Sequence, residues 1–237
     1  MYEALVGAWF PRQAGGNAKS HQHPEPLVPP GWRDQGISVS ADRRRHMSLR
    51  QPKQPLVVMT IGHSNRPFET FVQLLQAHEV KQLVDVRTVP RSKHNPQFNK
   101  DALPNRLRVA GIRYRHMPGL GGLRRAKRDS PNAGWRSPSF RGFADYMQTK
   151  EFDASLKRLV ELAKEKQLAV MCAEAVPWRC HRSLIADALT VRGVQVEHIM
   201  TRIMRHPHKL TPFARVKGKR ITYPPEPTAP GEPIQLA

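Results

Sequence analysis

The chain has 237 residues, 39% of them hydrophobic, and its 39 Lys and Arg against 19 Asp and Glu give a formal net charge of +20. That length suits one ordinary domain with tails, and no apolar run approaches the roughly 20 residues that span a bilayer, so no membrane partner is expected. Two cysteines are too few for a disulfide scaffold, and the start, MYEALVGAWFPRQ, lacks the basic-then-apolar pattern of a signal peptide, so a cytoplasmic protein with reduced thiols is expected.

Residues 1–50 read as a disordered N-terminal extension, rich in Pro, Gly and polar residues and without periodicity. The run RRRH at 43–46 marks Met47 as a candidate translation start. The domain is expected over 51–224, followed by a Pro-rich tail over 225–237. Within it, LVVMTI (56–61) is a short apolar run stopped by Gly62, the pattern of a buried strand. PFETFVQLLQAHEV predicts a helix with Pro67 in its first turn and Phe68, Phe71, Val72 and Leu75 on one face. QLVDV (82–86) predicts a second strand. A helix follows from about Asn99 to Ala110, with Gly111 as its stop, and IRYRH (112–116) predicts a third strand. SFRGFADYMQT predicts a helix capped by Ser139, and EFDASLKRLVELAKEK is the clearest helix of the chain. LAVMCA (168–173) and VQVEHIM (194–200) predict two more strands around the helix RSLIADALTVR, which ends at Gly193. This alternation predicts a single α/β domain with a mainly parallel sheet flanked by helices.

In such sheets ligands collect at the carboxyl ends of the strands. Polar groups leave that edge from four loops. The first strand runs into Gly62, His63 and Ser64; the second into Asp85 and Arg87, then Arg91; the third into His116 and the glycines Gly121 and Gly122; the fourth into Cys172 and Glu174. Each has an ordinary alternative. His63 and Ser64 serve equally to cap the first helix, Asp85 and Arg87 to pair with each other, and the glycines to make a tight turn.

The segment MCAEAVPWRCHRS (171–183) holds both cysteines, an acid, a histidine and two arginines. A metal reading would use Cys172, Cys180, His181 and Glu174. The cysteines stand eight apart, however, unlike the close C-x-x-C pair of common zinc sites, so no metal site is assigned. A phosphatase-type loop needs five residues between Cys and Arg, and Trp178 occupies that arginine's position. Anion binding fits better. Cys180, His181, Arg182 and Ser183 open a helix, where N–H groups and the helix dipole favour negative charge, and Arg179 and Arg182 offer bidentate donors. Glu174, the one acid beside them, is a candidate acid/base or sugar-hydroxyl ligand; its alternative is an ion pair with a neighbouring arginine.

Charge is concentrated as well. Residues 87–141 carry 14 Lys and Arg against two acids, and residues 202–220 carry seven against none. Such fields attract polyanions, so a nucleotide or a nucleic acid is the expected partner.

The blocks TIGHSN, LVDVRTVPRS, NPQFN, GIRYRHMPGLGG, MCAEAVPWRCHRSLIADAL and HKLTPFARVKGKRITYP, in this order over roughly 56–224, resemble the bacterial and archaeal family known as DUF488. The resemblance implies an α/β fold and a site lined by His63 and Ser64, Asp85 and Arg87, Cys172 and Glu174, and Cys180, His181 and Arg182. It supplies no reaction. The expectation is therefore an enzyme acting on a phosphate-bearing substrate, with Arg87, Arg91 and Arg182 holding the anion. Glu174 or Asp85 would be the acid/base, His63 would assist, and Cys172 or Cys180 would act as nucleophile or as packing. Two alternatives stand beside it: a non-catalytic nucleic-acid-binding module, with Tyr114, Trp135 and Phe140 for stacking, and a metal-dependent enzyme using Cys172, Cys180 and His181.

Overall fold

The computed structural model describes residues 55–226. The expected N-terminal extension, Met47 and residues 227–237 of the expected tail lie outside the described residues. The chain divides into two units, 1–49 and 50–237, and every described residue belongs to the second.

Eight strands and five helices follow in the order β1 (Val57–Gly62), α1 (Phe68–Ala77), β2 (Gln82–Asp85), α2 (Leu103–Val109), β3 (Arg113–His116), α3 (Pro138–Tyr146), α4 (Lys150–Glu165), β4 (Leu168–Cys172), α5 (Arg182–Thr190), β5 (Gln195–Ile199), β6 (Arg205–Pro207), β7 (Arg215–Lys217) and β8 (Arg220–Thr222). The first six strands form one sheet in the order β3-β2-β4-β1-β5-β6, and β7 and β8 form a separate hairpin. Strands β1 to β5 are parallel, and β6 runs antiparallel to β5. The fold is thus the expected α/β class with a mainly parallel sheet. None of the helices among the described residues is long and apolar enough to cross a membrane.

Alternation along the strands builds two cores. Met59, Ile61, Leu83 and Met171 face α1 and α2, where Phe68, Phe71, Leu75, Leu103 and Leu107 cover them. Val58, Val84 and Val170 face the opposite way, under Phe143 of α3, Phe152, Leu156 and Leu159 of α4, and Leu184 and Ile185 of α5. Local signals explain the helix starts. Thr149 accepts a hydrogen bond from Phe152 N and so caps α4. Several boundaries differ from the sequence reading: α2 starts at Leu103 and not at about Asn99, and α1 and α3 end at Ala77 and Tyr146, three residues early. Ser139 lies inside the first turn of α3, where Ser137 holds the cap position, and Pro67 stands at the cap position of α1, one place before the first turn.

Strands β1 and β4 are neighbours, and their connections leave on opposite faces. The chain passes from β1 to α1 on one side and from β4 to α5 on the other. Such a reversal opens a crevice at the carboxyl ends of the two strands.

Candidate functional site

The crevice is closed at its base by backbone pairing that continues past the strands. His63 N donates to Cys172 O at 3.0 Å and Ser64 N to Ala173 O at 2.8 Å. Gly62 permits this approach, because a Cβ there would lie 1.9 Å from Glu174 O. Ser64 takes a φ of +52°, a left-handed conformation rare outside glycine.

Behind the crevice lies a buried polar cluster. Asp85, fully buried, has both carboxylate oxygens engaged. Oδ1 accepts from Arg87 N and Nε at 3.0 and 2.9 Å; Oδ2 accepts from Arg87 Nη2 at 2.6 Å and from Tyr114 Oη at 2.8 Å. Burial, and then the Asp85 charge, push the Tyr114 hydroxyl well above its usual range. Arg87 also donates to Phe98 O at 2.7 Å and lies 3.2 Å from His63 Nε2. His63 is stacked on Phe98, with ring centroids 4.3 Å apart, and its Nδ1 meets Ser64 O at 2.7 Å. That leaves Nε2 to accept from Arg87. Burial lowers the His63 pKa, which keeps the ring neutral.

In front lies a pocket of about 330 Å³, bounded by Arg87, Thr88, Gly122, Phe140, Cys172, Glu174, Arg179, Cys180 and His181 among others. The chain reaches it from β4 through Glu174, turns back through a short 3-10 turn at Pro177–Arg179, and returns with Cys180 and His181 at the head of α5. Cys172 Sγ lies 3.9 Å and Cys180 Sγ 3.6 Å from His181 Nδ1, and neither cysteine is in a disulfide. A hydrogen bond from Cys180 holds the Cys172 thiol well below its ordinary pKa, and the same pairing pushes Cys180 up. His181 packs edge-on against Phe143 and lies over Gly122, where a Cβ would come within 2.5 Å of Nδ1. The glycine thus makes room for an imidazole.

Arg182 is 1% exposed. Its Nη2 donates to Glu174 O at 2.8 Å and to Ala175 O at 3.3 Å, which pins the site loop, while its Nε and Nη1 have no partner. No carboxylate among the described residues pairs with it. Glu174 is exposed on the pocket wall, and its Oε1 accepts from Val176 N at 3.1 Å. Arg179 is exposed at the rim without an ion pair among the described residues.

Cys172, Glu174, Cys180, His181 and Arg87 therefore meet at one pocket. Asp85, His63 and Arg182 stand behind its walls, and Ser64 lies in the adjoining turn. Arg91 is elsewhere, largely exposed and 3.9 Å from Asp101. Of the aromatic residues considered for stacking, Phe140 lines the pocket, and the other two are engaged in the fold. Trp135 packs on Phe140, Phe213 and Tyr223, and Tyr114 is tied to Asp85.

One buried network escaped the sequence reading. Asp187 accepts from His208 Nε2 at 2.8 Å, Thr211 N at 3.0 Å, Thr211 Oγ1 at 2.7 Å and Tyr223 Oη at 2.8 Å. His208 Nδ1 lies 3.1 Å from His198 Nε2, and His198 Nδ1 lies 2.7 Å from Thr60 Oγ1. The available signals were an acid inside the apolar helix RSLIADALT and a histidine at an inward position of β5.

A family model described as domain of unknown function DUF488 matches residues 67–189, just over half of the chain. The match takes in every candidate site residue except His63 and Ser64. No curated protein and no solved structure matches the chain.

Proposed function

The chain belongs to the DUF488 family, and from that premise we propose that it is an enzyme acting on a phosphate-bearing substrate, a nucleotide or nucleic acid, at the β1/β4 crevice. The observation that carries this reading is Arg182, a buried guanidinium whose Nε and Nη1 have no partner, and which pairs with no carboxylate, among the described residues. A buried charge without a counter-charge costs several kcal/mol. An anion in the pocket beside the loop that Arg182 pins would supply such a counter-charge. Arg179 at the rim offers a free planar fork for phosphate oxygens, and the N-terminus of α5 adds its dipole.

Glu174 is the acid/base of this reading, because it is the carboxylate that faces the pocket. Asp85 and His63 act through Arg87, which they hold in place; with both oxygens occupied, Asp85 has no site for a substrate proton. Arg91 belongs to the basic surface that raises encounter rates with polyanions.

Calorimetric titration with AMP, ADP, ATP and a short single-stranded oligonucleotide tests the reading. Arg179→Ala should weaken the preferred ligand by about 10- to 100-fold, the worth of hydrogen bonds to a charged group. Glu174→Gln should leave binding close to that of the parent and abolish turnover. Equal binding of every ligand by the parent and Arg179→Ala would remove the site assignment. Binding of the oligonucleotide alone, with steep salt dependence, would replace the enzyme by a binding surface.

A further inference from the structure

We propose that Cys172, Cys180 and His181 form a zinc site of the Cys2His type whose fourth position opens onto the pocket. The two sulfurs and one imidazole nitrogen all lie within 4.8 Å of one another. A tetrahedral zinc with bonds of about 2.3 Å to sulfur and 2.0–2.1 Å to nitrogen sets each sulfur about 3.6 Å from the nitrogen. The distances here, 3.6 Å from Cys180 and 3.9 Å from Cys172, match that spacing to within a few tenths of an ångström. The cysteines are eight apart in sequence, and the fold cancels that separation. β4 ends at Cys172, and the Pro177–Arg179 turn brings Cys180 back beside it.

The chemistry of the donors selects the metal. Two thiolates and an imidazole suit zinc and discriminate against magnesium and calcium, which take oxygen ligands. Two thiolates also neutralise a divalent cation, so the filled site adds no net charge beside the buried Arg182. An imidazole that keeps its proton on Nε2 presents the Nδ1 lone pair to the sulfurs' side. The ring is held there by Phe143 and by the space over Gly122.

The number of ligands selects the type of site. Structural zinc sites are closed by four protein ligands, whereas catalytic ones keep a position for water or substrate. The cluster has three members among the described residues, and all three line the 330 Å³ pocket. Glu174 lies on the same pocket wall and is not among the three. A non-ligating glutamate beside an open zinc position is the arrangement with which zinc hydrolases and base deaminases move the proton of bound water. The site would therefore supply Lewis acidity and an activated water to the pocket, with Glu174 as its proton carrier.

The inference stands on the donor geometry and does not need the phosphate reading. It is tested on the full chain, without substrate, by elemental analysis after zinc loading and by the visible spectrum after cobalt loading. One zinc per chain is expected, together with a cobalt spectrum showing thiolate charge transfer and the strong bands of four-coordinate geometry. Cys172→Ser and Cys180→Ser should each weaken zinc binding more than about 100-fold, beyond the loss usual for outer-shell partners. Glu174→Gln should bind zinc as the parent does. Zinc well below one equivalent in the parent, or a cobalt spectrum without thiolate bands, would overturn the proposal. Because the parent's own spectrum decides, misfolding of a cysteine variant cannot rescue it. Failure here leaves nucleotide binding through Arg179 standing, and failure of nucleotide binding leaves the zinc site standing.

Discussion

Asp85→Asn is the substitution that separates a positioning carboxylate from a reacting one. In the parent, Asp85 takes four hydrogen bonds, three of them from Arg87, and both side chains are buried. An asparagine keeps one acceptor oxygen and turns an NH2 group toward the remaining donors. It also leaves the Arg87 charge unpaired in the interior. Breaking a buried pair from one side costs about 3–5 kcal/mol. For a domain of this size each kcal/mol moves Tm by about 2–4 °C, so a fall of roughly 6–20 °C is expected by calorimetry. Adding Arg87→Met should recover part of the loss, since no buried charge then remains. A second readout is independent of stability. Without the Asp85 charge, Tyr114 should ionise at lower pH, which its ultraviolet absorbance follows. A Tm within about 2 °C of the parent, well under the shift that a broken buried pair implies, would refute the reasoning. So would losses that simply add in the double variant.

Two further outcomes are expected. Burial, aided by His208, Arg182 and His206, pushes the His198 pKa down to about 4, whereas an unfolded histidine titrates near pH 6.5. The unfolded chain therefore binds the extra proton first as pH falls. The stability tied to this group is complete above about pH 6.5 and is lost toward pH 4, in total about 3 kcal/mol. Urea titrations should show a shallower pH slope in His198→Gln than in the parent, and equal slopes would contradict the assignment. Gly62→Ala forces a methyl group onto Glu174 O and should cost about 1–3 kcal/mol, typical of overpacking. Amide exchange over residues 173–176 should quicken in that variant; unchanged exchange would show that the loop does not depend on the glycine.

Much of this architecture was legible in the residues. The short apolar runs 56–61, 82–86 and 168–173 each became a strand, ending at Gly62, Asp85 and Cys172, within one residue of the expected place. Strand order was not legible, because periodicity says which face a residue takes and not which strand lies beside it. The placement of β4 between β2 and β1 is what brings Cys172 under Gly62 and His63. The site was legible as a set of blocks and not as a division of roles. Asp85 and Arg87 turn toward each other, because a two-residue step at a strand end lets the arginine fold back on the carboxylate. Arg91, in the same basic loop, points to solvent. The basic segment 202–220 carried no apolar period, so its strands β6, β7 and β8 were missed; backbone pairing with β5 and within the hairpin forms them.

The Asp187 network bears on what the family boundary means. The matched stretch, 67–189, keeps the loops with the thiols and arginines and reads as a unit of descent. It does not read as a unit of folding. It omits β1, β5 and β6, half of the six-stranded sheet, and so would leave β4 as an unpaired edge instead of a central strand. It also omits His208, Thr211 and Tyr223, which would leave the carboxylate of Asp187 buried in α5 with no donor. The pocket's wall is thus held up by residues on either side of the stretch by which its kinship is recognised.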